Sequence, residues 1–285
     1  MKNGPVATLY LGWLRARMRS TISWALGMAA IVVATAAFYP ALKNFFADFQ
    51  AQGSAGVSSL LGLTDGIDPS SPLGYVWSNL YSNTVPWILM ALGIALGAAA
   101  IAGDEEAGTL EYTLSSTATR SQILIARFAG VFTILLGVAA FSGLALVVTA
   151  PLFKLTGDMT VTIDGKALTN PGLGVSNVAV GTFAAFAVAT AEAGIAFLIG
   201  AVTGNRSRAI GIATGIAVAS YVFYTLANLT GSLEFLTWLS SWRWYITGAM
   251  FINGLGWEVV LPFALAAACG GVAWVAFERR DLQTA

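Results

Sequence analysis

Histidine is absent from this 285-residue sequence, and cysteine occurs once, as Cys269 inside an apolar run. Those two shortages exclude zinc sites of the Cys/His kind, intrachain disulfides and any Ser-His-Asp or Cys-His nucleophile, because each needs an imidazole or a second thiol. Cys269 itself reads as a small packed hydrophobe. Charge is scarce: Asp, Glu, Lys and Arg make up 10% of the residues, against about 25% in an ordinary soluble domain. Basic and acidic residues cancel at 14 each, so the basic footprint of a nucleic-acid binder is missing. A phosphate-binding P-loop is missing too. Gly165-Lys166 is the one Gly-Lys pair, and it lacks the rest of G-x-x-x-x-G-K-[ST].

What the chain has instead is apolar length. Hydrophobic residues are 57% of the total, the mean hydropathy is +0.75, and a run of about 20 apolar residues matches the hydrocarbon thickness of a bilayer. Such runs fall at about 21–40, 83–102, 128–152, 176–203, 209–229 and 257–277. The fold class expected is therefore an all-α integral membrane protein of six transmembrane helices, a single transmembrane domain over 1–285. Basic residues before the first run, and its ending in Ala34-Thr35-Ala36, could pass for a signal peptide, but the five later runs favour a retained first span. Six spans put both termini on one side. That flank carries Lys2, Arg15, Arg17, Arg19, Arg120, Arg127, Arg206, Arg208, Arg279 and Arg280, whereas the opposite flank carries Lys43, Lys154, Lys166 and Arg243. Translocating Lys or Arg in short loops is disfavoured, so the richer flank, with the N and C termini, is expected in the cytoplasm.

Several local patterns carry finer expectations. Tyr10, Trp13, Leu14 and Met18 recur at helical spacing over residues 7–20, with Arg15 and Arg19 elsewhere on the same helix, which reads as an amphipathic interfacial helix or a basic flank orienting the first span. Gly93 and Gly97 in the second span, and Gly211 and Gly215 in the fifth, form Gly-x-x-x-Gly patterns that permit close helix approach within the bundle or at a dimer seam. Residues 231–256 are rich in aromatics but divided by Arg243, which predicts a short re-entrant or interfacial helical pair before the last span. There Trp238, Trp242 and Tyr245 would share a face at the headgroup level. Glu192 is the one ionisable residue deep within a run; a carboxylate there costs a few kcal/mol, about 2.5–3.5 on insertion scales, so it is expected to face protein or water, or to be protonated. It is a candidate polar residue of a pathway, or a hydrogen-bonded structural group.

The most polar stretch lies between the second and third runs, at 104–120. Four carboxylates occur in it, Leu110 and Leu114 are four apart, and Thr119-Arg120-Ser121-Gln122 makes a capping box for the next helix. That helix, from Arg120 to about Leu152, would be roughly 50 Å long, so its first turns project beyond a hydrocarbon core of about 30 Å.

Here the sequence resembles the permease family of type-2 ABC exporters, which includes bacterial drug, antibiotic and lipid-linked glycan exporters. In that family an acidic pair leads into Gly-Thr-Leu-Glu and then an arginine opening the third span; the matching residues are Glu105, Glu106, Gly108, Thr109, Leu110, Glu111 and Arg120. The ending Phe277-Glu278-Arg279-Arg280-Asp281-Leu282 also looks like the family's last-helix terminus. One departure is Thr117-Ala118-Thr119, where the family often has proline before the basic residue.

The resemblance implies a coupling helix at 104–120 docked on a separate ATPase subunit, with Leu114 in the same contact. ATP and magnesium would then sit on that partner, with no cofactor, metal or catalytic residue on this chain. It further implies a second permease copy or paralogue and multi-pass residence in the bacterial cytoplasmic membrane. The aromatic outer segment and the paucity of charge favour a hydrophobic or amphiphilic cargo, a drug or antibiotic, lipid or lipopeptide. The rival is a secondary transporter coupled to ions through Glu192, against which stands the lack of an evident inverted repeat.

Overall fold

The structure is a computed structural model that describes residues 4–51, 70–109, 118–163, 166–170, 172–230, 237–238, 240–245 and 250–280. Helix α1 covers Pro5–Ala51, α2 Pro72–Ala100, α3 Ala102–Glu106 and α4 Arg120–Thr149. Strands β1 (Met159–Ile163) and β2 (Lys166–Asn170) follow, then α5 (Val175–Thr203), α6 (Arg206–Thr230), α7 (Ser241–Tyr245), α8 (Met250–Asn253) and α9 (Val260–Arg279). Among the described residues six helices are long and apolar enough to cross a membrane, which makes this an all-α six-span membrane protein.

Helix α5 is the axis of the bundle. Alanine and glycine dominate it, and α2, α4, α6 and α9 pack around it. Close approach explains the small residues: a Cβ on Gly93 would lie 2.8 Å from the Ala189 carbonyl, and one on Gly97 would strike the carbonyl of Ala193. Gly194 meets the backbone of Ala266 on α9 in the same way. Without a hydrophobic drive between helices in lipid, this backbone contact is what van der Waals packing needs. Gly211 and Gly215 behave differently. Nothing lies within 4 Å of either Cβ position, because α6 buries Ala209, Ala213 and Ala217 and turns the glycine face outward.

The second span starts earlier than its apolar run, at Pro72 rather than near residue 83. Polar residues made the sequence look broken there, yet their side chains bond back onto the helix: Asn79 Nδ2 donates to Tyr75 O at 3.0 Å, Ser82 Oγ to Ser78 O at 2.7 Å and Thr84 Oγ1 to Asn79 O at 2.8 Å. The backbone over Trp77–Thr84 widens into a π-helix, a form concentrated at functional sites.

Helix α1 runs without interruption through residues 7–20, so the amphipathic segment is not a separate element. Its side chains nevertheless show a change of direction. Tyr10 meets Thr133 and Trp13 meets Gly130, a register antiparallel to α4, whereas Met28 lines a groove with Ile88 and the Thr35 carbonyl accepts from Tyr75, a register antiparallel to α2. Since α2 and α4 run oppositely, no straight axis satisfies both. Thr21 Oγ1 donates to Arg17 O at 3.0 Å and Ser23 Oγ to Arg19 O at 3.1 Å, the back-bonding that bends helices.

Two other departures concern the end opposite the termini. The loop after α4 contains the antiparallel pair β1–β2, with Met159 opposite Asn170 and Ile163 opposite Lys166; the alternation Met159-Thr160-Val161-Thr162-Ile163 followed by Asp164-Gly165 in the sequence is a hairpin signal that the six-span expectation passed over. Before the last span the chain forms the short helices α7 and α8, the helical pair expected there, and the departure lies in where its aromatics sit. Trp242 and Tyr245 do share a face, but they are buried in the bundle rather than set among headgroups, whereas Trp238 is exposed. Trp242 packs on Trp87 and Tyr221 with ring centroids 5.0 and 4.9 Å away, so α7 is an inserted plug.

Candidate functional site

Three consecutive carboxylates open the segment after α2. Side chains on adjacent helical residues diverge by about 100°, so Asp104, Glu105 and Glu106 cannot share a partner, and they do not. Asp104 forms an ion pair with Arg127 of α4. Glu105 pairs with Arg280 at the end of α9. Glu106 Oε1 accepts from the backbone N–H of Arg206 at 2.8 Å, where the unsatisfied amides and positive dipole end of α6 favour an anion. One five-residue helix is thus tied to three different spans.

Other groups at this end reinforce the ties. Arg280 Nη1 donates to the Ala201 carbonyl near the end of α5 at 2.9 Å. Arg120 donates to the carbonyls of Phe277 at 3.0 Å and Arg280 at 2.8 Å, satisfying acceptors that the end of α9 leaves open. Glu278 accepts from Ser121 and from Trp274 Nε1. From α1, the Arg17 guanidinium lies 4.2 Å from the Trp13 ring centroid and Arg127 lies 5.8 Å from it, so the buried indole receives two cations on its rings. Gly204 caps α5 with φ +62°, and a Cβ there would come within 2.8 Å of both Arg280 and Glu105. Glycine is required twice over, by backbone conformation and by the ion pair pressed against it.

Of the expected coupling residues, Glu105, Glu106 and Arg120 converge in this cluster. Gly108 adopts φ +66° and Thr109 Oγ1 donates to the Asp104 carbonyl at 3.1 Å, which turns the chain out of α3. Leu110, Glu111 and Leu114 lie outside the described residues. The capping box at Thr119 and Gln122 forms as expected, with Gln122 N donating to Thr119 Oγ1 at 3.3 Å and Thr119 N to Gln122 Oε1 at 3.1 Å. In α1, Tyr10, Trp13 and Leu14 face the bundle while Arg15, Met18 and Arg19 are exposed; the inward stripe continues through Arg17, not Met18. Sequence reasoning missed Asp104, Arg17, Arg127 and Arg280 as partners, although basic residues gathered on one flank were the available signal.

A second polar element lies in the middle of the bundle. Glu192 is 1% exposed, and its Oε1 accepts from Ser241 Oγ of α7 at 3.0 Å. Behind Ser241 the hydroxyls continue: Ser220 Oγ of α6 is 3.2 Å from Ser241 Oγ and 2.9 Å from Ser240 Oγ. Among the described residues, Glu192 Oε2 and Trp242 Nε1 are buried without a hydrogen-bond partner. The chain of hydroxyls joins α5, α6 and the plug α7, so α7 is held to the centre by polar as well as aromatic contacts.

A search of curated proteins finds no match. The sequence does match the family described as ABC-2 family transporter protein, over residues 14–282. With six apolar helices and a cross-tied polar elbow between the second and third, this chain belongs to the ABC-2 transporter family, a membrane permease of an ABC transporter whose ATPase is a separate partner.

Proposed function

We propose that this chain forms one half of the membrane path of an ATP-driven exporter that carries a hydrophobic or amphiphilic molecule out of the cytoplasm or the inner leaflet of a bacterial cytoplasmic membrane. The charged end of the bundle, which holds the richer Lys and Arg flank, faces the cytoplasm. The partner ATPase, with ATP and magnesium, presses on the segment 104–120, and a second permease copy or paralogue completes the path. The exposed face of α6, with Gly211 and Gly215 open, is the seam this reading uses.

The observation that carries the reading is the triple attachment of α3. A push on the segment leaving Glu106 reaches α4 through Asp104, α9 through Glu105 and α6 through Glu106 without passing through flexible loops. In this reading the carboxylates are transmission ties, and the docking contact belongs to the residues that follow them. Transport by the purified permease in vesicles, with and without its ATPase, tests the proposal. Uptake should require ATP and the partner, and should persist when an ionophore collapses the ion gradients. Full transport by the permease alone refutes it.

The second reading, ion-coupled transport through Glu192, draws on the buried and unpartnered Oε2. In the ionophore experiment it gives the opposite result.

A further inference from the structure

Between α4 and α5 a groove of about 360 Å³ opens on the outside of the bundle, lined by Leu136, Ala140 and Val147 on one wall and by Val175, Phe183 and Phe186 on the other. Its lining is almost wholly apolar. Thr182, its polar member, has its hydroxyl 2.8 Å from that of Tyr81, and a Cβ added at Gly143 would lie 2.6 Å from the Thr182 hydroxyl, so a glycine keeps the trough open. From Leu136 to Val147, and from Phe186 back to Val175, the walls run about 16 Å at 1.5 Å per residue. That is the depth of one leaflet in a hydrocarbon core of about 30 Å. The groove occupies the half of the bundle remote from Asp104 and Arg280.

A cation lies on the turn beyond the end of the groove formed by Val147 and Val175. Helix α4 closes with Leu155 N donating to Ala150 O at 3.0 Å and Lys154 at φ +59°, the backbone pattern of a left-handed C-terminal cap. Lys154 follows Val147, the last groove-lining residue of α4, by seven residues and stands on the turn beyond the helix end; Leu173 N bonds to Leu155 O at 2.7 Å, which holds that turn beside the start of α5, two residues before the groove-lining Val175. The Lys154 side chain is exposed and forms no ion pair among the described residues. An apolar trough of one-leaflet length with an unpaired ammonium at headgroup level matches a molecule that is hydrocarbon below and phosphate above.

We propose that the groove between α4 and α5 seats one acyl chain of a phospholipid from the leaflet at that end, with the lipid phosphate paired to Lys154. Trough and charge belong to one site because the turn that carries Lys154 is bonded, through Leu155 and Leu173, to the segment that enters the groove wall of α5.

The permease with its ATPase partner is reconstituted in vesicles containing a trace of phosphatidylglycerol that bears a photoreactive diazirine near the end of one acyl chain. Adducts are mapped by mass spectrometry, without ATP, so the result is independent of whether the coupling reading holds. Adducts are expected to concentrate on residues 136–147 and 175–186 over the exposed faces of α6 and α9. Ala140→Trp, which fills the trough from a lipid-facing position, should reduce that labelling several-fold and leave α6 unchanged. Lys154→Gln, on the turn outside the bundle, should reduce it about fivefold, the effect of one lysine at an anionic surface. A diacylglycerol with the same photoreactive chain and no phosphate should label the groove weakly. Even labelling of all membrane-facing helices, unaltered by Ala140→Trp, means bulk lipid only and overturns the site. Equal labelling by the diacylglycerol overturns the pairing with Lys154.

Discussion

Glu105 and Arg280, 175 residues apart in the chain, form an ion pair that closes the charged end of the bundle, and Gly204 is the surface on which that pair rests. Their side chains are only 9% and 19% exposed, so neither charge has water enough to replace its partner. The relationship makes the last residues of α9 part of the elbow after α2.

Breaking this pair from one side should be worse than removing it from both. Arg280→Gln leaves the Glu105 carboxylate nearly buried beside the carbonyls at the end of α5, and should destabilise the detergent-solubilised protein by about 1–3 kcal/mol, the cost of an unsatisfied buried group. The double variant Glu105→Gln/Arg280→Gln should recover part of that loss. Thermal unfolding of the parent, Arg280→Gln, Glu105→Gln and the double variant in one detergent gives the coupling energy, and a value of zero means the pair contributes nothing to stability. Gly204→Ala should also lower stability, because the residue must hold φ +62° and its methyl meets both partners.

The two Gly-x-x-x-Gly patterns should respond oppositely to the same substitution. Gly97→Leu forces α2 away from the Ala193 backbone and should lower the unfolding temperature sharply. Gly215→Leu adds a side chain where nothing lies within 4 Å, and should leave the unfolding of the isolated subunit unchanged. Cross-linking of the assembled transporter then reads the other consequence: loss of subunit pairing in Gly215→Leu places a second copy on α6, and unaltered pairing assigns that face to lipid.

That contrast shows what the sequence carried and what it withheld. Six runs long enough to cross a hydrocarbon core define six spans whatever their arrangement, and the capping box at Thr119 and Gln122 is local chemistry, so both were legible. Small residues four apart state only that a backbone can approach, so Gly93 and Gly211 looked alike until packing separated them. The start of α2 was hidden because hydropathy counts Asn79 and Ser82 as polar, whereas in the helix their side-chain donors bond back to carbonyls. Three adjacent acids had to diverge, and that was readable; which helix each would meet depended on the fold of residues as distant as Arg280. Ser220, Ser240 and Ser241 carry no periodic signal, so the partners of Glu192 could not be anticipated.

Glu192→Gln keeps an acceptor for Ser241 and places an amide where Oε2 lacks a protein partner, so it should assemble and unfold like the parent. Glu192→Leu loses the acceptor, at a cost of about 0.6 to 1.7 kcal/mol for one hydrogen bond inside a membrane protein. ATP-driven transport by the Gln variant should remain insensitive to a collapsed proton gradient. Gradient-dependent transport in the parent that disappears in Glu192→Gln would instead favour the ion-coupled reading.

Glu106→Lys tests transmission itself. The parent carboxylate accepts from the first amide of α6, at the positive end of that helix, and an ammonium there would be repelled by the dipole and by Arg206. Asp104 and Glu105 keep their own pairs with Arg127 and Arg280, so the bundle should still insert and fold. What should fail is the link from α3 to α6: ATP hydrolysis continues in the reconstituted complex while transport per ATP falls several-fold. Glu106→Gln, which retains an acceptor oxygen, should fall between the two. If Glu106→Lys transports at the parental ratio, α6 does not take its motion from this elbow.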